Sequence, residues 1–176
     1  NALSSSRMGY LKDVLPKLGV SIFLIHCAAH QHFEDWVLDS PAVIRLLACN
    51  VPYELRKHPK VRIVPLGLKP LALKFLSQWR EKLAKTPLKQ KVFAQFSIRT
   101  PATRAKFRKQ LLHDLQARGV IKIDGPYQRM TPEVYVKNMV TRRFILCPKG
   151  LGPDTFRAWE ALSVGRVPVV ERMIHP

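Results

Sequence analysis

Short apolar segments alternate with longer amphipathic segments along most of the chain, and this alternation constrains the fold more than any other sequence feature. The apolar segments are rich in β-branched and aromatic residues and run without polar interruption, which is typical of strands covered on both faces. Alternating strands and helices predict an α/β fold with a parallel sheet. The predicted strands are 20–26, 46–49, 61–65, 91–96, 120–123, 144–147 and 167–170, and the predicted helices are 71–84, 103–118, 132–140 and 155–164.

Several residues mark the ends of these helices. Thr100-Pro101 and Thr131-Pro132 each place a capping hydroxyl before a proline, which predicts a helix start. Gly119 follows the predicted helix 103–118 and is expected to end it.

A change of character falls within "KLAKTPLKQK", which is polar and contains a proline. We place a domain boundary near residue 86, so that residues 1–85 and 86–176 form separate units. The chain begins with Asn1 and stops at Pro176, soon after a predicted strand, and this predicts a piece of a larger protein.

The positive charge is concentrated in the middle of the sequence. The whole chain has a formal net charge of +18. Residues 51–126 contain eighteen Lys or Arg against four Asp or Glu, a net charge of +14, whereas residues 1–50 contain four of each. A basic surface suits nucleic acid, acidic lipid, or a phosphorylated or sulfated substrate. The alternative is a basic surface that only keeps the chain soluble.

The cysteines do not follow a metal-binding pattern. Cys27, Cys49 and Cys147 are far apart, and no CxxC pair or Cys/His ligand spacing is present. We therefore expect no structural zinc site. The cysteines do not indicate whether the protein belongs to a reducing or an oxidising compartment. The longest apolar run, "VSIFLIHCAA", is too short to span a bilayer and fits a buried strand. No signal peptide is visible.

The segment "FILCPKG" predicts a strand that runs into a glycine turn, with a helix starting just beyond it. Ligands of parallel sheets bind outside the carboxyl ends of the strands, and free amides at a helix start favour anions. Gly150 and Gly152 would let a ligand approach the backbone, and Lys149 adds a positive charge. The turn therefore suits a phosphate or diphosphate. Asp154 weakens this interpretation, because an acid at the cap takes up one of the free amides.

Arg157 and Glu160 are three residues apart on one side of the predicted helix. They can form an exposed ion pair worth a few tenths of a kcal/mol, about 0.2–0.5. Alternatively, Arg157 binds a diphosphate through two parallel hydrogen bonds while the Glu160 carboxylate accepts hydrogen bonds from a ribose diol. Spacing alone does not choose between the two.

The segment "FSIRTPATR" repeats this arrangement one strand and helix earlier. Arg99 lies in the predicted turn and Arg104 in the first helical turn, where basic residues again suit phosphate. The alternative for both is a solvated arginine near a capping threonine.

The histidines give a weaker signal. The pair His30 and His32, followed by Glu34, could bind a metal, but strand spacing would be needed to align the two histidines and nothing fixes Glu34 as a third ligand, so we expect no metal. The sequence contains no Gly-x-Ser-x-Gly motif, Walker loop or GxGxxG motif, so hydrolase, nucleotidase and dinucleotide-oxidoreductase functions lose their usual support.

The segment "RFILCPKGLGPDTFRAWEALSVGRVPVV" resembles the donor-binding segment of exostosin-like glycosyltransferases. The family pattern is roughly Phe-x-Leu-x-Pro-x-Gly, then Arg-x-x-Glu-Ala-Leu, then Gly-x-x-Pro-Val-Val. Upstream, "NVPYELRKHPKVRIVPLGL" and "KVFAQFSIRTPATR" are similar to segments that precede and open the donor lobe, so the resemblance covers roughly residues 46–170. Phe156 departs from it, because many relatives have His or another polar residue there. The matching positions are Phe144, Leu146, Pro148, Gly150, Arg157, Glu160, Ala161, Leu162, Gly165, Pro168, Val169 and Val170.

The resemblance implies a GT-B architecture of two Rossmann-like lobes, with the donor nucleotide held mainly by the carboxyl-terminal lobe and usually without an essential metal. Residues 1–85 would then be the end of the acceptor-side lobe, and residues 86–176 a truncated nucleotide-sugar donor-binding lobe. Glu160 is expected to bind the donor ribose and Arg157 the diphosphate. The family also implies a location on the luminal side of the Golgi or another secretory-pathway membrane, through an amino-terminal anchor outside this sequence.

We therefore expect a glycosyltransferase that moves a sugar from a nucleotide diphosphate sugar to a saccharide or glycoprotein acceptor. The donor is a substrate, and no cofactor or nucleic-acid partner is expected. His26, His30 and Glu34 are available as a general base, without one of them being assigned. The alternatives are a non-catalytic basic module that binds a sulfated glycan or nucleic acid, and an inactive glycosyltransferase fragment. The expected donor-binding residues are Lys149, Gly150, Gly152, Arg157, Glu160, Arg104 and Arg99.

Overall fold

The described strands form two parallel sheets of three strands each. They belong to two compact units, Asn1–Leu66 and Gly67–Pro176. The α/β fold with parallel, Rossmann-like sheets and flanking helices is therefore confirmed. The computed structural model describes residues 5–17, 19–26, 36–80, 82–88, 90–98, 102–121, 130–150 and 152–171.

The three strands of the first unit lie side by side in chain order, with all neighbours parallel. Its buried core is small and comprises side chains of the middle and third strands, of the second helix and of the loop after the middle strand. The helices of this unit are α1 (Ser5–Val14) and α2 (Trp36–Asp39), the strands are β1 (Ile22–His26), β2 (Val43–Ala48) and β3 (Val61–Ile63), and two short 3-10 turns are Leu15–Lys17 and Tyr53–Leu55.

The three strands of the second unit also lie side by side in chain order, again with parallel neighbours. The middle strand is buried over its last three residues, as expected for a strand that is flanked by neighbours and covered by helices. The helices of this unit are α3 (Pro70–Arg80), α4 (Ala102–Ala117), α5 (Pro132–Val140) and α6 (Phe156–Ser163), the strands are β4 (Gln90–Phe93), β5 (Arg142–Cys147) and β6 (Val167–Val170), and a 3-10 turn is Leu83–Lys85.

Helix α3 packs within the second unit, against α5 and α6. Its side chain Leu76 is buried in the same cluster as Val136 of α5 and Ala161 of α6. The units divide between Leu66 and Gly67, whereas the sequence placed the boundary near residue 86 and α3 with the preceding unit. The apolar face of α3 is responsible, because burying it requires the helices on the far side of the polar segment. The buried cluster comprises Leu76, Phe93, Val136, Met139, Val140, Ile145, Cys147, Ala161 and Val164.

The helix-end signals act locally as the sequence predicts where they are described. The Thr131 hydroxyl accepts a hydrogen bond from the Val134 amide at the start of α5, and Pro132 occupies the first turn. Gly119 has a φ of +66° beyond α4, in the left-handed region that favours glycine. Thr100-Pro101 lies outside the described residues. Of the predicted strand 120–123, Val120 and Ile121 are described and belong to no strand, and the other two residues lie outside the described part of the chain.

The expectation that strands are covered on both faces holds for β5 but is wrong for the edge strands. The side chains of Phe23 and Ile25 on β1 are 64% and 67% exposed, and Val170 on β6 is 55% exposed. No helix of the described part of the chain is long and apolar enough to cross a bilayer.

Candidate functional site

The second unit contains a cavity of about 240 Å³ next to the segments that follow β4 and β5. Gln95 lies just beyond β4 and Arg157 lies in the first turn of α6, so the cavity lies beyond the carboxyl ends of the strands, where parallel sheets bind ligands. Most of its wall is apolar, with a few polar side chains. The lining residues are Lys69, Ala72, Phe75, Leu76, Gln95, Met130, Pro132, Tyr135, Val136, Arg157 and Glu160.

Three polar side chains at this cavity form a connected group. Arg157 Nε donates to the Tyr135 hydroxyl over 3.0 Å, and that hydroxyl donates to Glu160 Oε2 over 3.1 Å. No direct ion pair within 4.0 Å joins Arg157 to Glu160 among the described residues. The exposed ion pair that spacing allowed is therefore wrong, because a phenol from α5 lies between the two charges.

The surroundings of Tyr135 determine which groups donate and which accept in these two hydrogen bonds. Burial raises the pKa of the Tyr135 hydroxyl, and the Glu160 carboxylate raises it further while the Arg157 guanidinium opposes the change. The hydroxyl therefore keeps its proton at physiological pH. It can accept from Arg157 and donate to Glu160 at the same time.

Both charged groups keep hydrogen-bonding capacity for a ligand. Among the described residues, the two terminal nitrogens of Arg157 and the Oε1 atom of Glu160 have no hydrogen-bond partner. A guanidinium edge can bind an anion through two parallel N–H groups, and a free carboxylate oxygen can accept from a hydroxyl. The group thus offers an anion site beside a diol site.

Phe96 connects this group to a second arginine. Its ring is 1% exposed, and it lies 5.9 Å from the Arg157 guanidinium carbon and 5.5 Å from that of Arg108. Arg108 projects from α4 and is 6% exposed. One buried ring therefore packs against both guanidinium groups, which favours a fixed position for each.

Arg108 uses its charge to hold the backbone. Its guanidinium donates to the Ser97 carbonyl over 2.7 Å and to the Lys149 carbonyl over 2.8 Å from one nitrogen and 3.2 Å from another. These bonds tie the segment after β4 to the glycine turn after β5. Arg108, the basic residue that organises this turn, is therefore not one that the sequence analysis selected.

The described residues of the glycine turn do not line the cavity. Gly150 donates its amide to the Gly152 carbonyl over 3.0 Å, so that amide has a partner inside the turn. A Cβ atom at Gly150 would lie 3.7 Å from Arg108 Nη2 and 3.8 Å from Thr155 Cγ2, which is ordinary contact. Lys149, Gly150 and Gly152 are not among the described lining residues, and their predicted role in donor binding stays a prediction.

The remaining charges near the turn have partners of their own. Lys149 Nζ lies 3.2 Å from Glu171 Oε1 and 5.3 Å from the centre of the Phe107 ring. Asp154 Oδ1 accepts from Trp159 Nε1 over 2.6 Å, and the N-cap position of α6 belongs to Thr155 instead. The acid that weakened the helix-start interpretation therefore has an indole partner and does not occupy the cap position.

Several sequence-predicted residues are not described in full. Arg99, His30, His32 and Glu34 lie outside the described residues, and Arg104 is described only as part of α4. His26 ends β1 in the first unit, where its carbonyl accepts from the Cys49 amide over 3.4 Å.

The described residues include no group of three or more His, Cys, Asp or Glu that could hold a metal ion. Cys49 and Cys147 are buried free thiols, and burial raises the pKa of Cys147 to about 12. That thiol remains protonated at neutral pH and is a poor nucleophile.

Tyr135, Arg108 and Lys69 are the site residues that sequence analysis did not identify. A tyrosine on the apolar side of α5 signals that its hydroxyl needs a partner, but not which one. Arg108 stands among several basic residues of α4, and nothing in their spacing separates it from the others. Lys69 precedes α3 and is not part of any motif identified in the sequence.

The sequence matches no family model and no curated protein.

Proposed function

We propose that the second unit binds the nucleoside diphosphate part of a nucleotide sugar, and that the chain is an exostosin-like glycosyltransferase of the GT-B type. One observation carries the proposal. Arg157 and Glu160 face the same cavity, held apart by the Tyr135 hydroxyl instead of neutralising one another. A diphosphate and a ribose diol are the adjacent anion and diol that such a pair would bind.

In this proposal each charged residue has a separate role. The terminal nitrogens of Arg157 donate to diphosphate oxygens, and the free oxygen of Glu160 accepts from the ribose hydroxyls. Ligand pockets that bury a whole small molecule usually enclose about 300–1,000 Å³. A cavity of about 240 Å³ is smaller than this, so we expect it to enclose the nucleoside while the sugar that is transferred lies outside.

The transfer step follows from this placement. An acceptor hydroxyl oxygen forms a bond to the anomeric carbon, and the bond from that carbon to the diphosphate oxygen breaks. The electron pair leaves with the diphosphate, and the hydroxyl proton passes to a general base that is not assigned. Fixed positive charge at the diphosphate stabilises the charge that develops there, a contribution of several kcal/mol in preorganised sites, about 3–4 for one donor. The acceptor is a saccharide or glycoprotein, and the setting is the luminal side of a Golgi or other secretory-pathway membrane.

The test is isothermal titration calorimetry of the chain with uridine and guanosine diphosphates and with their diphosphate sugars. Arg157→Ala and Glu160→Ala each remove a hydrogen bond to a charged group, worth about 1.5–3 kcal/mol, so we expect the dissociation constant to rise roughly 10- to 100-fold in each. Lys137→Ala, an exposed change on α5, is the control and should bind as the wild type does. Undiminished binding in both site variants would overturn the proposed site.

Titrations at several salt concentrations, together with an assay for released nucleoside diphosphate, separate the alternatives. A non-catalytic module that binds a sulfated glycan or nucleic acid predicts binding that weakens steeply with salt and does not depend on Glu160. Part of the basic charge of residues 51–126 is already used inside the protein: Lys60 donates to the carbonyls of Leu38 and Ser40, and Arg108 to the segments around the turn. An inactive fragment predicts donor binding with no release of nucleoside diphosphate.

A further inference from the structure

Lys69 is a second positive charge at the cavity. It lies directly before α3 and lines the cavity together with Arg157 and Glu160. Its ammonium nitrogen is 4.5 Å from the centre of the Phe156 ring at the start of α6. Among the described residues, no hydrogen bond or ion pair occupies that ammonium. Its charge is therefore held in place without being neutralised.

Phe156 gives a physical reason for this position. An ammonium over the face of an aromatic ring is attracted by the ring quadrupole. The ring leaves all three N–H donors of the lysine available, since it offers no lone pair for them. A carboxylate in the same place would hold Lys69 more tightly but would cancel its charge. An aromatic neighbour therefore suits a lysine that must remain available to an anion.

The charges around the cavity agree with this role. Lys149, the other lysine near the turn, lies beside Glu171 and does not line the cavity. Among the described lining residues, Arg157 and Lys69 are the cations and Glu160 is the carboxylate. A diphosphate carries more than one negative charge at neutral pH, which a single guanidinium does not balance.

We infer that Lys69 is a second diphosphate-binding residue, and that Phe156 is the residue that positions it. The inference rests on the proposed function, because it names a further contact to the same ligand. It also gives the aromatic residue at position 156 a role: the ring holds a cation instead of contacting the donor itself.

The experiment compares each nucleoside diphosphate with its nucleoside, uridine or guanosine, by calorimetry. We expect Lys69→Met to weaken diphosphate binding about five- to tenfold and to leave nucleoside binding unchanged, since only the diphosphate meets the ammonium. Lys74→Met is the matched control, because Lys74 is exposed on α3 and does not line the cavity. It should have no effect on either ligand.

Phe156 is tested by two substitutions. Phe156→Leu removes the ring and should weaken diphosphate binding about two- to fivefold without changing nucleoside binding. Phe156→Tyr keeps the ring and should retain the affinity. If both bind alike while Lys69→Met weakens binding, the positioning role of Phe156 is overturned and Lys69 stands.

The outcomes distinguish this inference from the proposed function. Wild-type binding of a diphosphate that Lys69→Met leaves unchanged would overturn the inference alone. A wild-type chain that binds neither diphosphate nor nucleoside would overturn both.

Discussion

Arg108→Met will lower the free energy of unfolding by about 3 kcal/mol, and this is among the two largest effects we expect. The guanidinium is 6% exposed and donates to the carbonyls of Ser97 and Lys149. Methionine keeps most of the side-chain volume but supplies no donor. Both hydrogen bonds are partly buried, and each hydrogen bond to a charged group is worth about 1.5–3 kcal/mol. Urea unfolding followed by circular dichroism measures the change.

Two further variants make this prediction specific. Lys109→Met changes an exposed neighbour on the same helix and should shift the unfolding free energy by less than about 0.5 kcal/mol. Arg108→Lys keeps the charge but not the fork of donors that reaches two segments, so we expect a loss between the other two. Equal stability of Arg108→Met and Lys109→Met would contradict the role of Arg108 in holding the turn.

Tyr135→Phe is the second large effect. It removes one hydroxyl that accepts from Arg157 and donates to Glu160, and each hydrogen bond to a charged group is worth about 1.5–3 kcal/mol. We expect unfolding to become easier by about 2 kcal/mol and nucleoside diphosphate binding to weaken at least about tenfold, because the two charges lose their separation. Tyr10→Phe is the control, since Tyr10 is 67% exposed.

The pH dependence of stability gives an independent check on Tyr135. Burial raises its pKa in the folded protein above the value of about 10 in the unfolded chain. A raised pKa means that its contribution to stability is complete below pH 10 and is lost as the pH rises further. Wild-type protein should therefore lose more stability above pH 10 than Tyr135→Phe does. Parallel pH profiles for the two proteins would show that the hydroxyl is not held as described.

Local signals predicted much of the fold because their causes are local. Helix α5 runs over Pro132–Val140, where its proline and its threonine cap placed it. Strand β6 runs over Val167–Val170, the full extent of its apolar run. In both cases neighbouring residues supply the hydrogen bond or the backbone preference, so the sequence contains the information directly.

The division of the chain depended on packing and was harder to predict. The polar segment near residue 86 has the composition of a linker, yet α3 on one side of it packs with α5 and α6 on the other. Which partner buries an amphipathic helix depends on residues distant in sequence. Composition alone does not contain that choice.

The site was predicted only in part, because it too depends on contacts between residues that are distant in sequence. Spacing placed Arg157 and Glu160 on one side of α6, and the structure brings both to one cavity. Spacing could not show that Tyr135, from another helix, would lie between them and prevent a direct ion pair. Arg108 could not be predicted either, because the sequence does not show which basic residue of α4 is buried and which, like Lys109, is exposed.

The most direct test of the central claim is a cycle of binding measurements that pairs Glu160→Ala with loss of the ribose hydroxyls. The ligands are a nucleoside diphosphate and its 2′,3′-dideoxy analogue. We predict that wild-type protein prefers the ribose form at least about tenfold, the value of a hydrogen bond to a charged group, and that Glu160→Ala removes this preference. Arg157→Ala should weaken the binding of both ligands equally and should therefore retain the preference for the ribose form. A preference for the ribose form that persists unchanged in Glu160→Ala would contradict the account.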